Sequence, residues 1–260
     1  MPALTLRDAL LRGKRRPRRF GAGSPTMYRG DGYEFVELRA YVPGDDVRRI
    51  DWAATARAGE LQTRVVLEDV ALTLAVLIDD SDSMRVGRER SLLAAAQEAA
   101  HAWFATARGG DRLLRVGSDH VGAPHLPVAT RFEIGSALTT ARAALRRGTA
   151  LLAIGDWYEL DDRHDDLLAN LGAWCDCTAL IARDPWYDAL PLGGFVRFSG
   201  AEGGTLRAYV GKRERAAFAA AVRAREAQIA QRFERAGWRA GALLESDGVA
   251  SLRAAFGVGA

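Results

Sequence analysis

The side chains best placed for chemistry are Asp79, Ser81 and Ser83, which fall at i, i+2 and i+4 in the run Ile78-Asp79-Asp80-Ser81-Asp82-Ser83-Met84. One carboxylate and two neutral hydroxyls, turned toward one point by a tight loop, make a hard-oxygen set suited to Mg²⁺ or Mn²⁺. Asp156, in Gly155-Asp156-Trp157, is a second carboxylate that could complete the set directly or through water. Two carboxylates against a dication leave no net charge and an open coordination position. Such a position can accept a carboxylate from a partner protein, which describes docking and not hydrolysis. The same oxygens have another use, as caps for the first N–H groups of a following helix. The sequence alone leaves both uses open.

Asp80 and Asp82, two residues apart after an apolar run and followed later by Asp156 and Asp161, superficially resemble the haloacid dehalogenase phosphotransferases. That resemblance implies Asp80 as nucleophile and Asp82 as acid. It also asks for Thr or Val two residues after the second aspartate, where Met84 stands, and for a lysine before the later acidic motif, whereas Lys212 follows it. A calcium-binding helical loop starting at Asp80 would need glycine and glutamate where Arg85 and Ser91 stand. His101, His120, His125 and His164 form no metal-binding spacing, and neither a G-x-S-x-G elbow nor a Walker phosphate loop occurs.

The elements that must position these oxygens are readable from periodicity. Leu72 to Ile78 is apolar except for Thr73, the pattern of a strand covered on both faces. In open α/β sheets ligands bind beyond the carboxyl ends of the strands, where Asp79 to Ser83 would lie. A stripe of Leu92, Ala96, Ala99 and Trp103 predicts a helix, and Ile134, Leu138, Ala141 and Leu145 predict another. Strands are expected at 112–116, 150–154, 177–182 and 240–244, and helices at 5–11, 167–174, 212–236 and 249–256. Residues 195–198 and 206–210 flank Gly203-Gly204 as a hairpin. Before the central strand, 34–42 alternates as a strand with Phe35 and Tyr41 on one face, and 61–67 follows it as another. Strands alternating with helices predict an α/β fold, a doubly wound, mostly parallel sheet.

Composition bounds the rest. The 260 residues carry a formal charge of +3, and no uninterrupted apolar stretch approaches the roughly 18 residues of a membrane span. The N-terminus places its apolar part before its basic part, the reverse of a secretory signal, so a cytoplasmic location is expected. Cys175 and Cys177 read as buried strand positions. The basic block Gly13 to Phe20 lacks an aromatic stacking platform and reads as a solvated arm, so no nucleic acid is expected as a partner.

Asp45-Asp46-Val47-Arg48-Arg49-Ile50-Asp51-Trp52 packs carboxylates and guanidiniums around two apolar side chains, with Arg39, Arg57 and Arg64 as further partners. This suits a charge-paired clasp or a partner-binding surface built on Asp45, Asp46, Arg48, Arg49, Asp51 and Trp52.

D-x-S-x-S after an apolar strand resembles the metal-ion-dependent adhesion site of von Willebrand factor A domains. With EFVELRAYVPGDDVRRIDWAATAR, VLIDDSDSM, AIGDW and ARDPWYDALP, the chain from about Tyr28 to Phe256 resembles the bacterial domain-of-unknown-function family 58. The resemblance implies a von Willebrand factor A-like domain at 71–260, a signature segment at 33–70, a basic Gly/Pro-rich arm at 1–32 and a small β-hairpin insertion. It also implies a non-enzymatic adaptor or partner of a MoxR-type AAA+ ATPase, with Mg²⁺ or Mn²⁺ on Asp79, Ser81, Ser83 and Asp156. A threonine from a second loop belongs to that pattern. Phe132 stands at the aligned position, and Thr130 is the nearest candidate.

Overall fold

The computed structural model describes residues 5–7, 9–10, 33–45, 47–68, 71–125, 131–185, 193–199 and 204–258. They fall in two compact units, one within 17–71 and the other joining 1–16 to 72–260.

In the smaller unit, β1 (Tyr33–Ala40) pairs antiparallel with β2 (Gln62–Glu68). The register shifts between Phe35 and Glu37, so Val36 is an extra residue and the strict alternation expected of 34–42 is interrupted. Tyr41 lies beyond the strand, its N–H bonded to the Leu61 carbonyl. Between the strands the charged run folds into a 3₁₀ turn, Val47–Arg49, and a helix the sequence reading missed, α1 (Trp52–Ala58). Asp51 caps that helix by accepting from the Ala54 N–H at 2.9 Å, and Gly59 ends it at φ 72°.

The larger unit is built on β3 (Thr73–Ile78), whose side chains from Leu74 to Ile78 are all buried. The other strands of its sheet are β4 (Arg112–Val116), β5 (Val121–Gly122), β6 (Ala150–Gly155), β7 (Asp176–Ala182) and, after the hairpin β8 (Gly194–Ser199) and β9 (Thr205–Val210), β10 (Arg239–Leu243). The order across the six-stranded sheet is β10-β7-β6-β3-β4-β5, parallel throughout except for the short edge strand β5. The hairpin forms a two-stranded sheet of its own.

Helices α2 (Leu92–Phe104), α3 (Ile134–Ala144), α4 (Asp165–Trp174), α5 (Lys212–Arg235) and α6 (Gly248–Ala255) complete the mixed α/β architecture. Ala75, Leu77, Leu151, Ala153 and Ala179 point to one face, where they share a core with Leu138, Leu168, Ile229 and Phe233 of α3, α4 and α5. Each fully buried Leu or Ile of this kind contributes about 1.5–3 kcal/mol. Phe132, Trp157, Phe233 and Trp238 form an aromatic chain through it, with centroids 6.3, 5.3 and 5.2 Å apart in turn. Helices α2 and α6 pack so closely that a Cβ on Gly248 would lie 2.1 Å from the Ala95 carbonyl oxygen. Both cysteines are buried, and neither is in a disulfide.

Around Leu10, fully buried, the N-terminal residues join this unit through Arg7. Its guanidinium bonds the Thr106 carbonyl at 3.1 Å and the Asp111 carboxylate at 2.5 Å. Asp111 also accepts from the Leu72 N–H at 2.7 Å, fixing the chain as it enters β3. Among the described residues no helix is long and apolar enough to cross a membrane. The basic block at 13–20 lies outside the described residues.

Candidate metal centre

The parallel pairing of β3 with β6 runs from Leu74 opposite Ala150 to Ile78 opposite Ile154. The Asp79 N–H extends it with a 2.8 Å bond to the Ile154 carbonyl. From β3 the chain goes to β4 on one side, while β6 lies on the other, so the strand order reverses between β3 and β6. Such a switch point opens a crevice beyond the strand ends, the usual ligand position in α/β sheets. Asp79 and Asp156, each one residue past its strand, are therefore neighbours at this crevice. Gly155 permits the approach, since a Cβ there would stand 2.9 Å from the Asp79 Cβ and 3.3 Å from its Oδ2.

After Asp79 the loop doubles back. Asp79 Oδ1 accepts from the Ser81 N–H at 2.9 Å, and the Ser81 and Ser83 hydroxyl oxygens are 2.9 Å apart. Adjacent oxygens on an octahedral magnesium, each at about 2.0–2.1 Å from the ion, stand about 2.9 Å from one another. Asp156 turns its Oδ1 to the Tyr158 N–H at 3.1 Å. Trp157, which follows, adopts φ 57° and is fully buried, its indole N–H donating to the Leu180 carbonyl at 3.2 Å. That anchor holds the loop after β6 against the core.

Asp79 is 3% exposed. Burial pushes its carboxyl up to about 6; bonds from the Ser81 side chain and backbone oppose the rise, and the charges of Asp156 and Asp80 add to it. The neighbouring charges that act on it are thus carboxylates. A buried acid among acids, beside two converging hydroxyls, fits a hard dication. Among the described residues no three His, Cys, Asp or Glu side chains form a metal-holding group, so a cation here would also use hydroxyl and water oxygens.

The helix-capping use of the loop is not what the structure shows. Ser81 precedes the 3₁₀ turn Asp82–Arg85 without a side-chain cap bond, and α2 is capped by Ser91, which accepts from the Ala94 N–H at 3.2 Å. Asp82 is exposed and sits 3.4 Å from the Arg85 Nε, while Asp80 is half-buried at the rim. Thr130 lies outside the described residues. Phe132, at the position aligned with the second-loop threonine, packs edge-on against Trp157. A hydroxyl absent from the sequence reading is Ser118, two residues past β4, the strand beside β3. It is buried, accepts from the Glu133 N–H at 2.9 Å, and its carbonyl accepts from the Thr140 hydroxyl. Ser118 thereby fixes the segment entering α3.

In the smaller unit the charged run is largely satisfied internally. Arg39 pairs with Asp45 at 2.7 Å, and Asp45 also accepts from the Val42 N–H. Arg64 pairs with Asp51 at 2.8 Å. The bonds from Arg39 and the Val42 N–H hold the Asp45 carboxyl below the usual range, and those from the Ala54 N–H and Arg64 do the same for Asp51. Asp46 lies outside the described residues. Arg48 is exposed and Arg49 half-buried. Trp52 and Val47 are left 68% and 62% exposed, an apolar part of this segment open to solvent.

A family model described as "Protein of unknown function DUF58" matches residues 37–128. Among curated proteins, Uncharacterized protein Rv1480 and Uncharacterized protein MT1527 of two Mycobacterium tuberculosis strains, and Uncharacterized protein Mb1516 of Mycobacterium bovis, are each 31% identical over 229 residues. The likeness covers 78% of this chain and 71% of each relative. No solved structure is significantly similar to the chain. With a family match over the signature segment and bacterial relatives alike over most of its length, the chain belongs to the DUF58 family.

Proposed function

We propose that the chain is a non-enzymatic, metal-dependent protein-interaction module of the von Willebrand factor A-like kind, acting as adaptor or partner of a MoxR-type AAA+ ATPase. The observation that carries this reading is the meeting of Asp79 and Asp156 at the switch point of a sheet whose first and fourth strands lie side by side, with Ser81 and Ser83 converging beside them. Mg²⁺ or Mn²⁺ bound there supplies a hard Lewis-acidic position for a carboxylate from the partner. Asp79 and Asp156 contribute the charge that neutralises the dication, and the two hydroxyls contribute neutral oxygens that add none. The Ser81 N–H bond to Asp79 and the anchored Trp157 hold the two loops in place before a partner arrives. Exposed Trp52 and Val47 give the smaller unit an apolar surface for the same partner.

Calorimetric titration of Mg²⁺ or Mn²⁺ should show binding to the wild-type chain that Asp79→Ala abolishes. The MoxR-type ATPase of the same organism should co-purify with the wild-type chain in Mg²⁺ and be released by a chelator. Absence of metal binding in both proteins would remove the metal from the reading, and co-purification indifferent to chelator would separate the partner from the metal.

A further inference from the structure

The hairpin β8–β9 presents a second surface, unrelated to the metal edge. Its register sets Phe195 opposite Tyr209 and Arg197 opposite Arg207, so all four side chains stand on one face. That face is open: Phe195 is 93% exposed, Tyr209 59%, and both arginines are exposed. Val196, Phe198, Ala208 and Val210, on the opposite face, are buried or half-buried. The two rings meet edge to face, centroids 5.4 Å apart. Like charges directly opposite destabilise a strand pair. Neither guanidinium has an ion-pair or hydrogen-bond partner among the described residues. Exposed Lys212 continues the positive charge where the chain leaves β9, while the Glu214 carboxylate there is taken by the Gly211 N–H at 3.0 Å.

We infer that this face docks an extended acidic segment of a partner protein, with a bulky apolar side chain over Phe195 and Tyr209 and a carboxylate between Arg197 and Arg207. The spacing fits: successive side chains on one face of a strand are about 7 Å apart, in the hairpin and in an extended partner alike. A carboxylate between two guanidiniums relieves their repulsion and can be gripped in a two-pronged fork. Aromatic and arginine side chains are also the groups that dominate interface energetics. Single-stranded nucleic acid, the other ligand of basic and aromatic surfaces, stacks its bases on ring faces. Here the edge-to-face pair spends the face of one ring on the edge of the other.

The test uses the full chain and a short fluorescein-labelled peptide in which glutamate and leucine alternate at every second position with serine between. Fluorescence anisotropy should show binding that weakens with salt and is unchanged by chelator, which separates it from the metal edge. Arg197→Gln with Arg207→Gln should weaken it by about tenfold or more, Phe195→Ser likewise, and lysines at both arginine positions should restore part of the loss. If the double glutamine variant melts below the wild type, Phe195→Ser decides alone. Failure of the wild-type chain to bind, or equal binding by Phe195→Ser, overturns the inference. So does tighter binding of a labelled oligothymidylate or of phosphatidylserine vesicles through the same residues.

Discussion

Replacing Asp79 by asparagine tests the electrostatics of the metal edge without a partner. The side chain keeps its shape, and its amide oxygen can still accept from the Ser81 N–H, but it carries no charge. In the wild type, burial raises the carboxyl from 3.8 to about 6. Because the folded-state value lies above the unfolded one, the neutral acid's contribution to stability is fully present below about pH 4. It is lost as the pH rises through about 6. A difference of about two pH units amounts to about 3 kcal/mol. In chelator at pH 8, Asp79→Asn should therefore be more stable than the wild type by up to about 3 kcal/mol, or about 6–12 °C in Tm for a unit of this size. The two should converge below about pH 4. Magnesium at a hundred times its Kd should then stabilise the wild type by about 2.7 kcal/mol and leave the variant unmoved. Urea unfolding across pH, with and without Mg²⁺, reads all of this. A variant no more stable than the wild type at pH 8 in chelator would refute the desolvation argument. Equal stabilisation of both proteins by Mg²⁺ would refute the role of Asp79 as ligand.

Two other substitutions probe the frame around the site. Gly155→Ala places a methyl group 2.9 Å from the Asp79 Cβ and 3.3 Å from Trp157 Cε2, and this overpacking should cost about 1–3 kcal/mol in urea unfolding and weaken Mg²⁺ binding. Unchanged metal affinity would mean that β3 and β6 do not set the site. Arg7→Ala leaves the Asp111 carboxylate, 1% exposed, with backbone donors only, a loss on the order of 3 kcal/mol. In the wild type burial pushes the Asp111 carboxyl up, but Arg7 and the Arg108 and Leu72 N–H groups more than offset it, holding it below the usual range. The stability this supplies is present at neutral pH and lost on acidification, so Arg7→Ala should flatten the acid side of the pH–stability curve.

What was legible in the sequence follows the range over which each feature is encoded. The sequence alone marks β3, because an apolar run covered on both faces needs no partner to declare itself, and α2, because its stripe repeats along one helix. The hairpin β8–β9 was legible from the glycines between its strands. The helix α1 was not: Asp51 and Arg64 read as a clasp, and the same carboxylate turned out to cap Trp52–Ala58 while holding that arginine. Strand β5, of two residues, depends on the Gly117 N–H bond to the His120 carbonyl and not on propensity. The oxygens at Asp79, Ser81 and Ser83 were found from local spacing, and Asp156 from the expectation that its strand lies beside β3. Ser118 was out of reach, since its part in the fold rests on bonds to Glu133 and Thr140, long-range facts that no local spacing carries.

Two buried carboxylates in the same unit show why Asp79 reads as functional. Asp111 and Asp79 are both withdrawn from water, and burial alone would raise both. Asp111 is answered by a guanidinium and two backbone donors, and its carboxyl falls below the usual range, the behaviour of an acid kept to hold a fold together. Asp79 is answered by one serine and crowded by Asp80 and Asp156, and its carboxyl rises to about 6. A sequence that can place an arginine beside one buried acid has no physical difficulty placing one beside another. A buried acid left among acids at a sheet's switch point, with two hydroxyls 2.9 Å apart beside it, carries a cost to stability that only a bound cation or a proton removes. Calorimetric Mg²⁺ titration distinguishes the two, since the hydroxyls already meet through their own hydrogen bond whichever of them relieves Asp79.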